Sequence, residues 1–163
     1  MRLLLKAFKT EIAPTRKQKG KIICSIGIAR FLYNQYIAYN KKLYKMYQRG
    51  LLDSRQKHFV TAKDFDKYVN HNLKIKLPWI DECGSKARKK ALVNAENAFK
   101  RFFDGMAGFP RFKKKSNQDM KLYFPKNNKG DWRIWRHKLM IPTLKQVRLK
   151  EFGYLPVGAK VIN

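Results

Sequence analysis

Apolar and polar side chains alternate over the first residues, with Leu3, Leu5 and Ala7 on one side and Lys6 on the other. That two-residue period predicts a short strand over 2–9, broken at Pro14. Thr15 stands three positions ahead of Gln18, the spacing of a capping box, so a helix is predicted to begin there. From Gln18 to Gln48 the residues Ile22, Ile23, Ile26, Phe31, Tyr33, Tyr36, Ile37, Tyr39, Leu43, Tyr44 and Tyr47 recur mostly at steps of three and four, with Lys and Arg between them. This is the pattern of an amphipathic helix. Gly27 is expected to divide or kink it, because glycine costs about 1 kcal/mol inside a helix, and Gly50 is expected to end it.

After a polar connection over 51–60, Thr61 and Asp64 repeat the capping signature, and a third helix is predicted through Phe65, Tyr68, Val69 and Leu73 towards Pro78. A fourth runs from an N-cap at Ser85 through Leu92, Ala95, Phe99 and Phe102 to a stop at Gly105. Beyond Gly105 the helical period gives way to short alternating stretches over 120–124, 132–135, 138–141, 146–149 and 160–162, separated by Gly and Pro. These read as strands of a small antiparallel sheet or barrel. An isolated N-terminal edge strand needs a sheet to join, so 2–9 is expected to pair with them. The predicted class is α+β: an N-terminal strand joining a C-terminal small antiparallel β-barrel, with a bundle of about four helices inserted.

Composition then points to a partner. Of 163 residues, 38 are Lys or Arg and 11 are Asp or Glu, giving a formal net charge of +27 at pH 7. A hydrophobic content of 44% supplies a core, so the cations belong to the surface of one or two folded modules. Solubility of a small domain calls for a net charge of only about 2–8, and the excess implies a polyanionic partner. No apolar run approaches the roughly 20 residues of a membrane span, and Lys6 and Lys9 interrupt the opening apolar stretch before a signal core can form. A cytoplasmic chain with no membrane partner is expected. Cys24 and Cys83 stand apart with no CxxC and no His nearby, so they read as free thiols, and no metal or other cofactor is expected.

Candidate catalytic groups are few. Asp64/Asp66 and Asp81/Glu82 have the proximity of metal ligands, but capping and solvation account for them. His58, His71 and His137 lie in no HExxH or HxH pattern, and Gly105-x-x-Gly108 lacks the strand and helix context of a KH loop. No catalytic residue is assigned. Residues 86–115, by contrast, hold ten cations against Glu96 and Asp104, with Lys86, Lys89 and Lys90 spaced to share a helix face. Aromatics interleave with cations in Phe109-Pro110-Arg111-Phe112-Lys113 and Trp132-Arg133-Ile134-Trp135-Arg136. Such interleaving suits stacking on bases beside phosphate contacts, and the alternative for these aromatics is that they fill a core.

Six motifs follow one another in order: Ile12-Ala13-Pro14-Thr15-Arg16-Lys17-Gln18, Ala29-Arg30-Phe31-Leu32-Tyr33-Asn34, Pro78-Trp79, Ala98-Phe99-Lys100-Arg101-Phe102-Phe103, Gly108-Phe109-Pro110-Arg111-Phe112-Lys113-Lys114-Lys115, and Leu139-Met140-Ile141-Pro142. Together they resemble the N-terminal part of the TnpB (OrfB) proteins of bacterial insertion sequences, relatives of the compact type V CRISPR nucleases. The resemblance implies a wedge-like barrel whose first strand lies in 1–13, a helical recognition lobe over 14–105, and a basic linker with the remaining barrel strands over 106–163. It further implies that the chain grips a guide RNA, its heteroduplex with target DNA and a short target-adjacent motif, while base pairing reads the sequence. The family's catalytic carboxylates lie in a RuvC-like domain that would begin about where this chain reaches Val161-Ile162-Asn163. A nuclease domain in cis or trans is therefore an expected partner, and this chain is expected to carry no active site.

Where the family places polar Gln or Asn at the start of the fourth helix, this chain has Ser85, Lys86, Arg88, Lys89 and Lys90, a set expected to hold target-DNA phosphates rather than read bases. Arg111, Lys113, Lys114, Lys115, Trp132, Arg133 and Arg136 form the set expected on guide RNA or heteroduplex. Two other readings stay open. One is a stand-alone DNA-binding regulator or nuclease-free transposase remnant, with a helix-turn-helix-like region in helices two to four. The other is a metal-dependent nuclease in its own right, whose cleavage would depend on Glu96 or Asp81.

Overall fold

The computed structural model describes residues 6–53, 55, 57–116, 122–124, 132–151 and 155–157. The chain forms two compact units, one from 1–22 with 124–163 and the other from 23–123.

The first unit is built on a four-stranded antiparallel sheet. Its strands are β1 (Ile12–Ala13), β2 (Arg133–Ile134), β3 (Lys138–Ile141) and β4 (Lys145–Leu149), in the order β1-β4-β3-β2. The alternation read in the sequence places β2, β3 and β4 within a residue of their expected positions. An N-terminal strand does join the C-terminal set at Ile12–Ala13, paired with Leu149 and Arg148; of the expected strand 2–9, residues 6–9 are in no strand and 2–5 lie outside the described residues. Pro14 ends the strand without preventing it, because an edge strand tolerates a missing donor just past its last residue. The described strands form an open four-stranded sheet, and closure into a barrel is not seen among them. The expected strand 160–162 and residues 120 and 121 of the stretch 120–124 lie outside the described residues, and 122–124 are not in a strand.

Register explains the sheet's two faces. Leu139 lies opposite both Ile134 and Val147, and these, with Ile141, Leu149, Leu144 and Leu155, form a core that Ile12, Ile22 and Trp132 complete. The start of helix α1 (Arg16–Gln48) is clipped to the same unit. The Thr15 hydroxyl accepts from Gln18 N at 3.2 Å, and Gln18 Oε1 accepts from Thr15 N at 3.0 Å, closing the expected capping box. The Gln18 amide nitrogen is then left to donate to the carbonyls of Leu144 and Gln146, at 3.1 and 2.7 Å. One side chain thus caps the helix and fastens the β3–β4 turn.

In the second unit α1 packs with α2 (Ala62–Tyr68) and α4 (Ser85–Phe103). Contrary to expectation, Gly27 neither ends nor divides α1. Ser25, Ile28, Leu32, Tyr33, Tyr36, Ile37 and Asn40 form one continuous buried stripe. Burying such apolar side chains at about 1.5–3 kcal/mol each outweighs a single glycine's cost of about 1 kcal/mol. Gly50 ends the helix as expected, at φ +67 with Leu51 N donating to Met46 O. Tyr36, fully buried, meets Phe59, Phe65 and Phe99 edge-on, and its hydroxyl donates to Val60 O at 2.7 Å. Buried Asn40 accepts from Val60 N and donates to Val60 O, pinning the residue just ahead of the Thr61 cap of α2.

The third predicted helix is irregular. α2 passes through a π-helical turn, Val69–Leu73, into the single turn α3 (Lys74–Lys76), and a 3₁₀ turn, Pro78–Glu82, follows. α4 starts with Ser85 as its first helical residue and Gly84 as N-cap, one residue earlier than expected. It stops at Gly105, φ +71, where Met106 N bonds Arg101 O.

Candidate nucleic-acid interface

The basic segment after α4 is held against the helices by its aromatic and its backbone. Phe109 packs on Phe99 and Phe102 at ring separations of 5.6 and 5.0 Å, and Pro110 is buried. Asn34 of α1 then grips the backbone of Lys113 from both sides, donating to its carbonyl at 3.0 Å and accepting from its N–H at 2.8 Å. An irregular run is thereby fixed with Arg111, Lys114 and Lys115 exposed and with the Lys113 side chain turned into a cleft wall.

Between α1 and α4 this arrangement leaves a cleft of about 40 Å³ with Arg30, Tyr33, Lys90, Asn94 and Lys113 in its walls. No carboxylate stands among its described lining residues. The Lys113 ammonium sits 4.2 Å from the centre of the Tyr33 ring, and that of Lys90 lies 5.1 Å from the centre of the Tyr123 ring. Burial holds the Lys113 ammonium below the usual lysine pKa, and a phosphate placed beside it would push the value back up. The cleft also joins residues from the two expected sets, because Lys90 and Lys113 line the same cavity.

A second, open groove of about 420 Å³ runs along the C-terminal half of α1, lined by Lys41, Lys42, Lys45, Arg49 and Phe112. None of these four cations was singled out from the sequence, although their three- and four-residue spacing marks a common face. Asn34 was also missed as a positioning group, since its partner lies 79 residues away.

In the sheet unit, register places Arg133, Met140 and Gln146 in one row and Lys138 and Arg148 in the next, on the face opposite the core. Lys138 and Arg148 are directly opposed, a like-charge pair that an anion over the face would relieve. Arg133 and Arg136 are exposed, whereas Trp132 is half-buried against the sheet core, with its indole N–H unpaired among the described residues.

The residues at the start of α4 take different roles. Ser85 is exposed, Lys86 is half-buried, and Lys89 lies 3.7 Å from Asp66 of α2. Arg88 corrects the expectation of a surface cation. It is 6% exposed and donates to Ile80 O at 3.0 Å and to Asp81 at 2.6 Å, so it braces the 3₁₀ turn. Asp81 also pairs with Lys74 at 2.7 Å, and the Arg88 hydrogen bond, then Lys74, holds its carboxyl below the usual carboxylate range. Asp64 accepts from Thr61 and faces Lys57 and Lys67, while Glu82 accepts from the Cys24 thiol at 3.0 Å. The candidate metal pairs are thus engaged with caps, cations and a thiol. Both cysteines are free, and no helix among the described residues is long and apolar enough to cross a membrane.

Comparison with known proteins agrees with the motif reading. The model of a helix-turn-helix domain of the OrfB/IS605 family matches residues 1–49. Over 146 residues, 90% of the chain, the sequence is 25% identical to the putative RNA-guided DNA endonuclease InsQ of Escherichia coli (strain K12). The chain spans about a third of that relative, 34% of its length. The resemblance to TnpB/OrfB proteins is therefore borne out. Within the described residues, the stretch matched to the helix-turn-helix family holds β1 and α1, a single unbroken helix.

Proposed function

We propose, from this TnpB/OrfB character, that the chain is the nucleic-acid-gripping part of an RNA-guided DNA endonuclease and performs no cleavage by itself. The observation that carries the reading is the Arg30–Lys90–Lys113 cleft, a cationic cavity with no carboxylate in its described lining, beside a basic run pinned by Asn34. The gripping surfaces would be this cleft, with Arg111, Lys114 and Lys115 next to it, and the sheet face carrying Arg133, Lys138 and Arg148. They would hold the backbones of guide RNA and heteroduplex, while pairing reads sequence. Lys86, at the start of α4, would hold the DNA next to the target.

The helix-turn-helix family match favours a second reading, a regulator that reads duplex DNA without RNA. The unbroken α1 weighs against it, because that mode needs two helices set at an angle across a short turn. RNA that copurifies with the chain and resists nuclease decides between them. The proposed role predicts a protected RNA species and RNA binding at least as tight as binding to random duplex DNA. A nuclease-treated, RNA-free chain with tight sequence-selective duplex binding would establish the regulator instead.

A further inference from the structure

We infer that the groove along the C-terminal half of α1 is a subsite for single-stranded nucleic acid, with the Phe112 ring as a platform for one base. The inference rests on the nucleic-acid-binding reading and specifies which form of the polymer this groove takes.

Three features point the same way. Lys41, Lys45 and Arg49 follow one another at four-residue steps, about 6 Å apart along the axis, so the row can track successive phosphates of one strand. Lys42 flanks the row, and Lys42, Lys45 and Arg49 make no ion pair among the described residues. Such a line of like charges on one helix face repels itself, and a polyanion lying along it removes the repulsion.

Phe112 supplies the second element. It lies in the groove wall with 47% of its surface exposed, although it belongs to a segment otherwise anchored by buried Pro110 and by the Asn34 grip on Lys113. The Lys41 ammonium is 5.7 Å from the ring centre. An aromatic ring set beside a cation row is the arrangement that binds single strands, whose bases offer free faces. In a duplex those faces are already stacked on their neighbours, and the ring has nothing to cover. The third element is the groove's shape: at about 420 Å³ and open along its length, it admits a backbone with a base turned inward.

The test measures anisotropy of labelled 20-mers, oligo(dT), oligo(U) and a random duplex, with the full chain and with Phe112→Ala, Phe112→Trp and the Lys45→Ala/Arg49→Ala double variant. Phe112→Ala is expected to weaken single-strand binding by roughly 5- to 150-fold, the range for losing one stacked base, and to leave duplex binding within about twofold. Phe112→Trp should restore or exceed the original single-strand affinity, which a merely disturbed segment would not do. The double variant should flatten the single-strand salt slope by about 1.4, at about 0.7 per lost contact. Equal losses on single strand and duplex, or no loss, would overturn the inference while wild-type affinity leaves the broader reading standing. Failure of the wild-type chain to bind any of the three would overturn both.

Discussion

Replacing Asn34 by Ala separates positioning from contact. The side chain makes two hydrogen bonds to the backbone of Lys113, at 3.0 and 2.8 Å, and it carries no charge. Each such bond contributes about 0.5–1.5 kcal/mol net. Both are solvent-exposed, so the lower part of that range applies and their joint loss is worth about 1–2 kcal/mol. If that free energy fixes the basic run in its binding geometry, RNA affinity should fall by about 5- to 30-fold, at 1.4 kcal/mol per tenfold. The slope of log K against log salt should stay constant, because no phosphate contact is removed. Lys113→Ala makes the converse change. Both backbone bonds remain while the ammonium is lost, so the slope should flatten by about 0.7–0.9. Filter binding or anisotropy at four or five salt concentrations measures both quantities. Wild-type affinity in Asn34→Ala, or a slope reduced as much as in Lys113→Ala, would refute the positioning argument.

Three further outcomes follow from other parts of the structure. Asn40→Leu keeps the branched shape but removes both bonds to Val60, one of them to a backbone N–H; a urea-midpoint shift worth about 1–3 kcal/mol is expected, and an unchanged midpoint would contradict it. Thr143, at φ +69 after Pro142, occupies the position of a type II turn that favours glycine, so Thr143→Gly should raise the unfolding free energy by about 1 kcal/mol, and a lower melting temperature would count against it. Asp81 has its pKa depressed in the folded chain, first by Arg88 and then by Lys74. Its stabilisation is therefore complete above its ordinary value of 3.8 and disappears as pH falls through the lower folded value. Asp81→Asn should destabilise at neutral pH and make the acid limb of a pH–stability curve shallower, and an identical acid limb would exclude the linkage.

The local signals were legible. Thr15 with Gln18, Thr61 with Asp64, and the glycines at 50 and 105 declare helix ends through neighbours a few residues away, and β3 and β4 follow from strict alternation. What sequence reading missed depends on contacts distant in the chain. Gly27 looks like a breaker until the buried stripe on either side of it is known. Arg88 looks like its neighbours Lys89 and Lys90 until the 3₁₀ turn brings Ile80 O and Asp81 to it. Alternation is clearest over 2–9, whereas pairing with β4 occurs at Ile12 and Ala13. At the candidate interface, the cations of 111–115 and Lys90 were singled out by local density. The groove of Lys41, Lys42, Lys45 and Arg49 was not, because Phe112, which gives it a wall, lies more than sixty residues further along.

The proposed grip relies on particular cations engaging phosphates, and not on bulk charge. Two fourfold alanine variants with the same net charge test it most directly: one at Lys90, Lys113, Lys114 and Lys115, the other at the exposed lysines Lys19, Lys21, Lys63 and Lys76. For RNA binding across a salt series, the first variant is expected to lose about 3 units of slope, at 0.7–0.9 per contact, and the second to keep the wild-type slope. Equal slopes and affinities in the two variants would contradict it.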